Sequence, residues 1–328
     1  MRQAARAGRA GTRAASRRAA DPAAPGPRAG RAGLVAGPRD RRRTWALGYA
    51  FVAPTVLLTV LFSLVPLAML LWRSLYGGGV FDLAPRFVGL DNYTGMLAEG
   101  GARALGVTGV YTAGFVVLTM GAGLALALLL NSRAPGVARL RAPFIIPLVV
   151  PVVATALIWA NMFAPRFGPI DRLLAALGLP PADLPASPGT ALLAVLTFGA
   201  WQFFGQNVIL YVAALKSVPR DVLDAASVDG AGAWRRFAHV QWPMMRRQTL
   251  LIWVVTTLTG LQTFTQIYVL TQGGPDGATQ TALYYVYNEG FVQFDTGRAN
   301  AMGVLLFLIS LLVTVAQIWL LGRVDRAR

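Results

Sequence analysis

Six stretches of this chain carry no charged side chain: residues 44–72, 104–132, 142–165, 184–215, 248–275 and 299–322. The shortest is 24 residues, and a helix needs about 20 to cross the hydrocarbon core of a bilayer. A soluble protein of 328 residues can bury one or two wholly apolar helices, but not six. The expected fold is therefore all-α: a polytopic membrane protein with spans at about 47–72, 104–130, 142–165, 190–215, 248–272 and 299–322.

The charges that remain set an orientation. Grouping alternate loops puts 24 basic residues on one side of the membrane and 6 on the other. The basic side is cytoplasmic by the positive-inside rule, so both termini face the cytoplasm, as an even number of spans requires. The net charge of +16 and pI near 11.4 are thus mostly a topology signal, and nucleic acid falls away as a partner. With no cysteine, a disulfide-stapled secreted scaffold is excluded too.

Residues 1–43 hold 12 Arg in an Ala/Gly/Pro-rich context without apolar periodicity, which predicts a disordered cytoplasmic tail. Arg41, Arg42 and Arg43 abut the first span, where they fix topology or sit beside anionic lipid headgroups. The leader is too long for a signal-peptide n-region and the apolar run too long for its h-region.

Inside the spans the clues are prolines and amides. Pro54 and Pro66 in the first span, and Pro143, Pro147 and Pro151 in the third, predict kinks. Trp201, Gln202, Gln206 and Asn207 fall in the fourth segment, with Gln202 and Gln206 four apart on one helix face. Gln262, Gln266 and Tyr268 repeat that spacing in the fifth, and Asn161 lies late in the third. Such amides face the bundle interior, either as interhelical hydrogen-bond glue or as the lining of a polar cavity for an uncharged, hydroxyl-rich solute. No span has an ionisable residue at its middle, which argues against a proton relay and leaves any work on a solute to be coupled from elsewhere.

A catalytic kit is missing. There is no Walker A loop, no His-Glu-x-x-His and no nucleophile elbow; His239 stands alone in a basic loop, so neither an enzyme nor a metal site is expected. Gly77-Gly78-Gly79 reads as a flexible turn, and Gln272-Gly273-Gly274-Pro275 as a turn at a span end.

Residues 216–247 form the longest cytoplasmic loop between spans, and they are organised. Pro219 suits a first helical turn, Asp221 and Asp224 its positive end, and Val222, Ala225 and Ala226 give one small apolar face. Gly230 is a plausible cap, and Gly232 resets the chain. A second amphipathic segment places Trp234, Phe237 and Val240 three apart before Pro243. Two short helices with a small-residue face suit docking into a partner's groove, or packing against headgroups.

The run Asp224-Ala225-Ala226-Ser227-Val228-Asp229-Gly230, followed by Val240-Gln241-Trp242-Pro243, resembles the Glu-Ala-Ala loop of binding-protein-dependent ABC importer permeases. It departs where the family usually has Glu, at Asp224, and Leu, at Trp242; both keep the chemical character of the position. Ala-Pro-Phe-Ile-Ile-Pro at 142–147, Ala-Ala-Leu-Lys-Ser-Val-Pro at 213–219, Leu-Thr-Gln-Gly-Gly-Pro at 270–275, Thr281 with Tyr284–Tyr287, and Gly-x-x-x-Ala-Met at 297–302 are similar to the carbohydrate branch of that family, the maltose/lactose/glycerol-3-phosphate type. The resemblance covers about residues 45–325 and leaves out the Arg-rich tail.

That resemblance implies the type I importer permease fold and a set of partners. They are a second homologous permease, a dimeric cytoplasmic ABC ATPase that alone uses ATP and Mg, and an extracytoplasmic solute-binding protein that delivers a sugar. The helix around Pro219–Ser227 would seat in the ATPase, with Asp224 as its charged contact and Gly230 turning the chain out. Pro219, Asp221, Asp224, Ala225, Ala226, Gly230, Val240 and Pro243 are then the coupling residues. Glycerol-3-phosphate or another polar cargo is the nearest alternative, and a stand-alone channel or a scaffold without transport the alternatives from other classes. Expected location is the bacterial inner membrane, multi-pass.

Overall fold

The computed structural model describes residues 38–79, 86–131, 141–165, 167–178 and 184–326. Most of the expected tail, residues 1–37, lies outside the described residues. The chain divides into two units at Thr59/Val60. The first holds α1, Pro38–Thr59, with Pro54 inside it. It begins within the stretch expected to be tail: proline is favoured in a helix's first turn, and the arginines that follow are good helix formers.

The second unit opens with a π-helical turn, Val60–Leu64, and α2, Val65–Arg73, which has Pro66 in its first turn. Two short antiparallel strands follow, β1 (Tyr76–Gly77) and β2 (Arg86–Phe87), then α3 (Asp91–Met96) and the long α4 (Ala102–Leu130). Next come α5 (Arg141–Val149), α6 (Val152–Met162), α7 (Pro169–Ala176) and α8 (Ala191–Lys216). Beyond them are α9 (Arg220–Val228), α10 (Ala233–Arg236) and α11 (Trp242–Leu261). The last are α12 (Thr265–Leu270), α13 (Ala282–Tyr287) and α14 (Thr296–Arg326).

Helical stretches long and apolar enough to cross a membrane are Leu47–Arg73, Asp91–Leu130, Ala191–Lys216, Ala233–Leu270 and Thr296–Leu320, with the pair Pro143–Val149 and Val152–Met162 as a sixth if taken together. Six spans are therefore consistent with the structure, but two are not the single helices expected. The third, expected as one helix over 142–165, bends by 113° between α5 and α6. Pro151 causes it: with ψ 129 it leaves the helix, it has no N–H to donate, and its ring disfavours helical backbone at Val150. The fifth, expected over 248–272, is helical from Ala233 but stops at Leu261 and restarts at Thr265.

The core lies where α4 packs along α8, joined by α11. Gly205 lets α5 approach α8: a Cβ there would sit 2.3 Å from the Phe144 carbonyl oxygen. One buried cluster, Ala127, Tyr211, Ala214, Leu215, Val218, Met245 and Ile252, closes the bundle at the α9 end. Another, Met96, Ala104, Ala282, Tyr285, Ala301 and Met302, closes the opposite end. Outward residues such as Val117 and Leu312, 70% and 67% exposed, are apolar as a lipid-facing surface must be.

Candidate functional site

The spacing of small residues in 216–247 does fold into surface helices. Pro219, at φ −58 and ψ 135, precedes α9, and Asp221 lies in its first turn near the positive end of the peptide dipoles. Gly230, at φ +78, ends it in the left-handed region that glycine enters freely. The amides of Asp229, Gly230 and Ala231 donate to the carbonyls of Ala225, Ser227 and Ala226 at 3.0–3.1 Å, satisfying the C-terminal turn. No residue of α9 is buried. Asp221, Val222, Asp224 and Ala225 are exposed and Ala226 half-buried, while Leu223 packs against the buried cluster at this end of the bundle. An Arg236 guanidinium N–H donates to the Ser227 hydroxyl, tying α9 to the next segment. That segment is not the separate short helix expected: α10, a π-helical turn over Phe237–Gln241 and α11 run on as one helical stretch. Val240 sits half-buried in the π-helical turn, and Pro243, which has no N–H to donate, follows just after that turn inside the continuous stretch. Trp234, 76% exposed, meets Phe237 along this edge in a tilted contact at 5.7 Å, and Phe237 meets Trp242 likewise at 6.0 Å.

The seven intramembrane candidates divide. Gln202 is fully buried and clasps the elbow of the third span: its Nε2 donates to the Pro147 carbonyl at 2.5 Å and the Val150 carbonyl at 3.3 Å, while its Oε1 accepts from Thr155 Oγ1 at 2.7 Å. These are carbonyls freed where Pro151 interrupts the ladder. Asn207 Oδ1 accepts from Thr256 Oγ1 at 3.0 Å, joining α8 to α11. Gln266 Nε2 donates to Tyr111 Oη at 3.0 Å and to Thr263 Oγ1. These three amides are engaged in interhelical and elbow contacts. Trp201 and Tyr268 are 38% and 44% exposed, Gln262 is exposed and Gln206 half-buried. Gln262 and Gln266 do not share a helix face as their spacing predicts, because Gln262 caps α11 and Gln266 belongs to α12. Asn161 caps nothing across the bundle; its Nδ2 donates to the Leu157 carbonyl one turn back, at 2.8 Å.

Sequence reasoning missed how the two broken spans meet. α12, the far limb of the fifth span, packs on α6, the far limb of the third. It also missed an aromatic set at the end opposite α9, in which Phe264, Tyr268, Tyr284, Tyr287 and Phe291 form a continuous chain of ring contacts at 5.3–6.3 Å. The signal was the density of aromatics across Tyr284–Tyr287. Burial pushes the Tyr285 phenol up to about 12 there, and burial, then the Asp295 carboxylate, pushes Glu289 up. The Gly77–Gly79 turn is not loose: Gly77 is in β1, and Gly79 bridges to Asp295. Arg298 clamps the same end, paired with Glu99 and, at 3.3 Å, with Asp295.

Three likenesses fit this architecture. The sn-glycerol-3-phosphate transport system permease protein UgpA of Agrobacterium fabrum is 33% identical over 273 residues, covering 83% of this chain and 93% of that protein. The trehalose/maltose transport system permease protein MalF of Thermococcus litoralis is 30% identical, over 83% and 92% respectively. A crystal structure of a bacterial ABC transporter importing the acidic polysaccharide alginate contains a chain that superposes with a TM-score of 0.76 at 20% identity, over 87% of this chain and 98% of that one, so the fold is shared. Residues 119–326, which include both broken spans and α9, match the family described as binding-protein-dependent transport system inner membrane component, and the chain belongs to that family as a multi-pass permease subunit of an ABC importer.

Proposed function

We propose that this permease admits a neutral sugar delivered by an extracytoplasmic solute-binding protein, and that α9 receives the stroke of a cytoplasmic ABC ATPase dimer. The observation that carries the reading is α9 itself: a complete helix, closed at its C-terminus, with no buried residue, held to the bundle through Leu223 and Arg236. Its outward face combines the carboxylates of Asp221 and Asp224 with the small side chain of Ala225, which lets a partner's groove approach closely. Basic loops put this end in the cytoplasm, with both termini. A second permease completes the translocation path, and ATP and Mg act on the ATPase, not on this chain.

Neutral cargo is favoured because α8 from Ala191 to Leu215, and α11 and α12 from Gln248 to Leu270, carry no charge, so a phosphate would find no cation there. Trp201, Gln206, Gln262 and Tyr268 offer rings and amides that a polyol can use. Glycerol-3-phosphate is the second reading, favoured by the 33% identity to UgpA; its phosphate would need a cation from the partner permease. The test is purification of the tagged chain from its native membrane in mild detergent, with stoichiometric partners identified by mass spectrometry. Recovery of an ABC ATPase and a second six-span permease is expected. A monodisperse homo-oligomer without an ATPase, under conditions that preserve a control importer, would overturn the reading in favour of a channel.

A further inference from the structure

We propose that Phe264, Tyr268, Tyr287 and Phe291 form a stacking lane for the pyranose rings of a neutral oligosaccharide, an inference that rests on the importer reading above. The rings follow one another from the break in the fifth span toward the end opposite α9: Phe264 stacks on Tyr268 at 5.6 Å, Tyr268 meets Tyr287 edge-on at 5.3 Å, and Tyr287 stacks on Phe291 at 5.7 Å. Tyr268 and Phe291 are 44% and 71% exposed, while Phe264 and Tyr287 are half-buried and anchor the lane to the core beside Tyr284.

Three observations choose the occupant. Non-helical backbone at membrane depth persists only where protein covers it or water reaches it, and Gln262, at the foot of the lane, is exposed at such a break. The surface is amphipathic, two phenol hydroxyls and an amide beside ring faces, unlike the aliphatic surface around Val117 and Leu312. A pyranose matches it, with C–H faces that stack on rings and hydroxyls that hydrogen-bond at their edges. Finally, Glu289, Glu99 and Asp295 gather with Arg298 beside the far end of the lane, and Arg298 is already paired with Glu99 and Asp295, so that cluster offers a phosphate no free guanidinium.

The experiment uses the whole importer in nanodiscs, with cysteine-free partners. This chain has no cysteine, so Val292→Cys, beside the lane and 50% exposed, takes one nitroxide label and leaves the four rings intact. The label should collide with an aqueous nickel chelate more than with oxygen, and maltose, trehalose or maltohexaose should shield it, whereas sn-glycerol-3-phosphate should not. Tyr287→Ala and Phe291→Ala should lower kcat/KM for uptake of the transported saccharide roughly threefold to tenfold, with Tyr287→Phe and Phe291→Trp near the parental value. Preferential collision with oxygen would assign the lane to lipid, and shielding from both reagents without sugar would assign it to the partner permease; either overturns the proposal. So would nickel accessibility unchanged by all three saccharides. Sugar shielding without ATP-driven uptake of any probe would instead fail the importer reading and leave the lane standing.

Discussion

The α9 surface and the junction of the broken spans use the same kinds of side chain for opposite ends. At the junction, Gln202 and Gln266 are buried and hydrogen-bonded to groups on other elements or to the broken backbone itself. On α9, Asp221 and Asp224 are exposed and make no hydrogen bond or ion pair to another element among the described residues. These two amides are held by partners within the chain because desolvating them unpaired costs free energy; the carboxylates on α9 are left to water or to another protein. Substitutions in the two places should therefore separate function from stability in opposite ways.

The largest effect is expected on α9. Ala225→Arg adds bulk and charge to an exposed face, so ATP-driven uptake in proteoliposomes should fall at least about a hundredfold, while the melting temperature stays within the scatter of surface substitutions. A parallel loss of melting temperature would mean that α9 is structural. Next comes Gln202→Leu, which strands the Pro147 and Val150 carbonyls and should lower stability by about 2–4 kcal/mol, read as a lower melting temperature with faster amide exchange on either side of Pro151. An unchanged melting temperature would show that water already serves those carbonyls. Gln266→Leu should cost about 1–2 kcal/mol by removing one of the two side-chain hydrogen bonds of the Tyr111 hydroxyl, the other being to Thr263, and a double-mutant cycle with Tyr111→Phe should show coupling; additivity of the two would deny the bond.

Smaller effects sharpen the same contrast. A Cβ at Gly230 meets nothing within 4 Å, so Gly230→Ala carries only the cost of its φ of +78, about 1 kcal/mol. It should appear as faster exchange confined to α9. Arg298→Met breaks a partly exposed ion pair with Glu99 and should cost under about 1 kcal/mol, less still in high salt. A larger, salt-insensitive loss would mark the clamp as part of the core.

Much of the fold was legible because charge exclusion is a local property. Runs such as 299–322 announce a span by themselves, and α9 was readable from Pro219, the Ala225-Ala226 pair and Gly230, whose effects act within one or two turns. Gln262 and Gln266 show where legibility stopped. Their spacing says one face, but Leu261 to Thr265 is not continuous helix, and nothing in that stretch compels a break; Thr263, whose carbonyl accepts from Thr281 Oγ1 at 3.1 Å, is held by a residue 18 positions away. Pro151 announced a kink without its size, because the 113° bend is accommodated by Gln202 reaching across from α8 to the Pro147 and Val150 carbonyls on one side of the elbow and the Thr155 hydroxyl on the other.

By itself, then, the sequence determined the all-α membrane architecture, the side rich in basic residues and the presence of a capped surface helix, since each follows from composition or from contacts within a few residues. Only the tertiary structure decided which amides serve as clasps, how the two broken spans lie against each other and which aromatics line up. Those outcomes depend on side chains from distant elements meeting in one place, and spacing along a single helix carries no record of the partner.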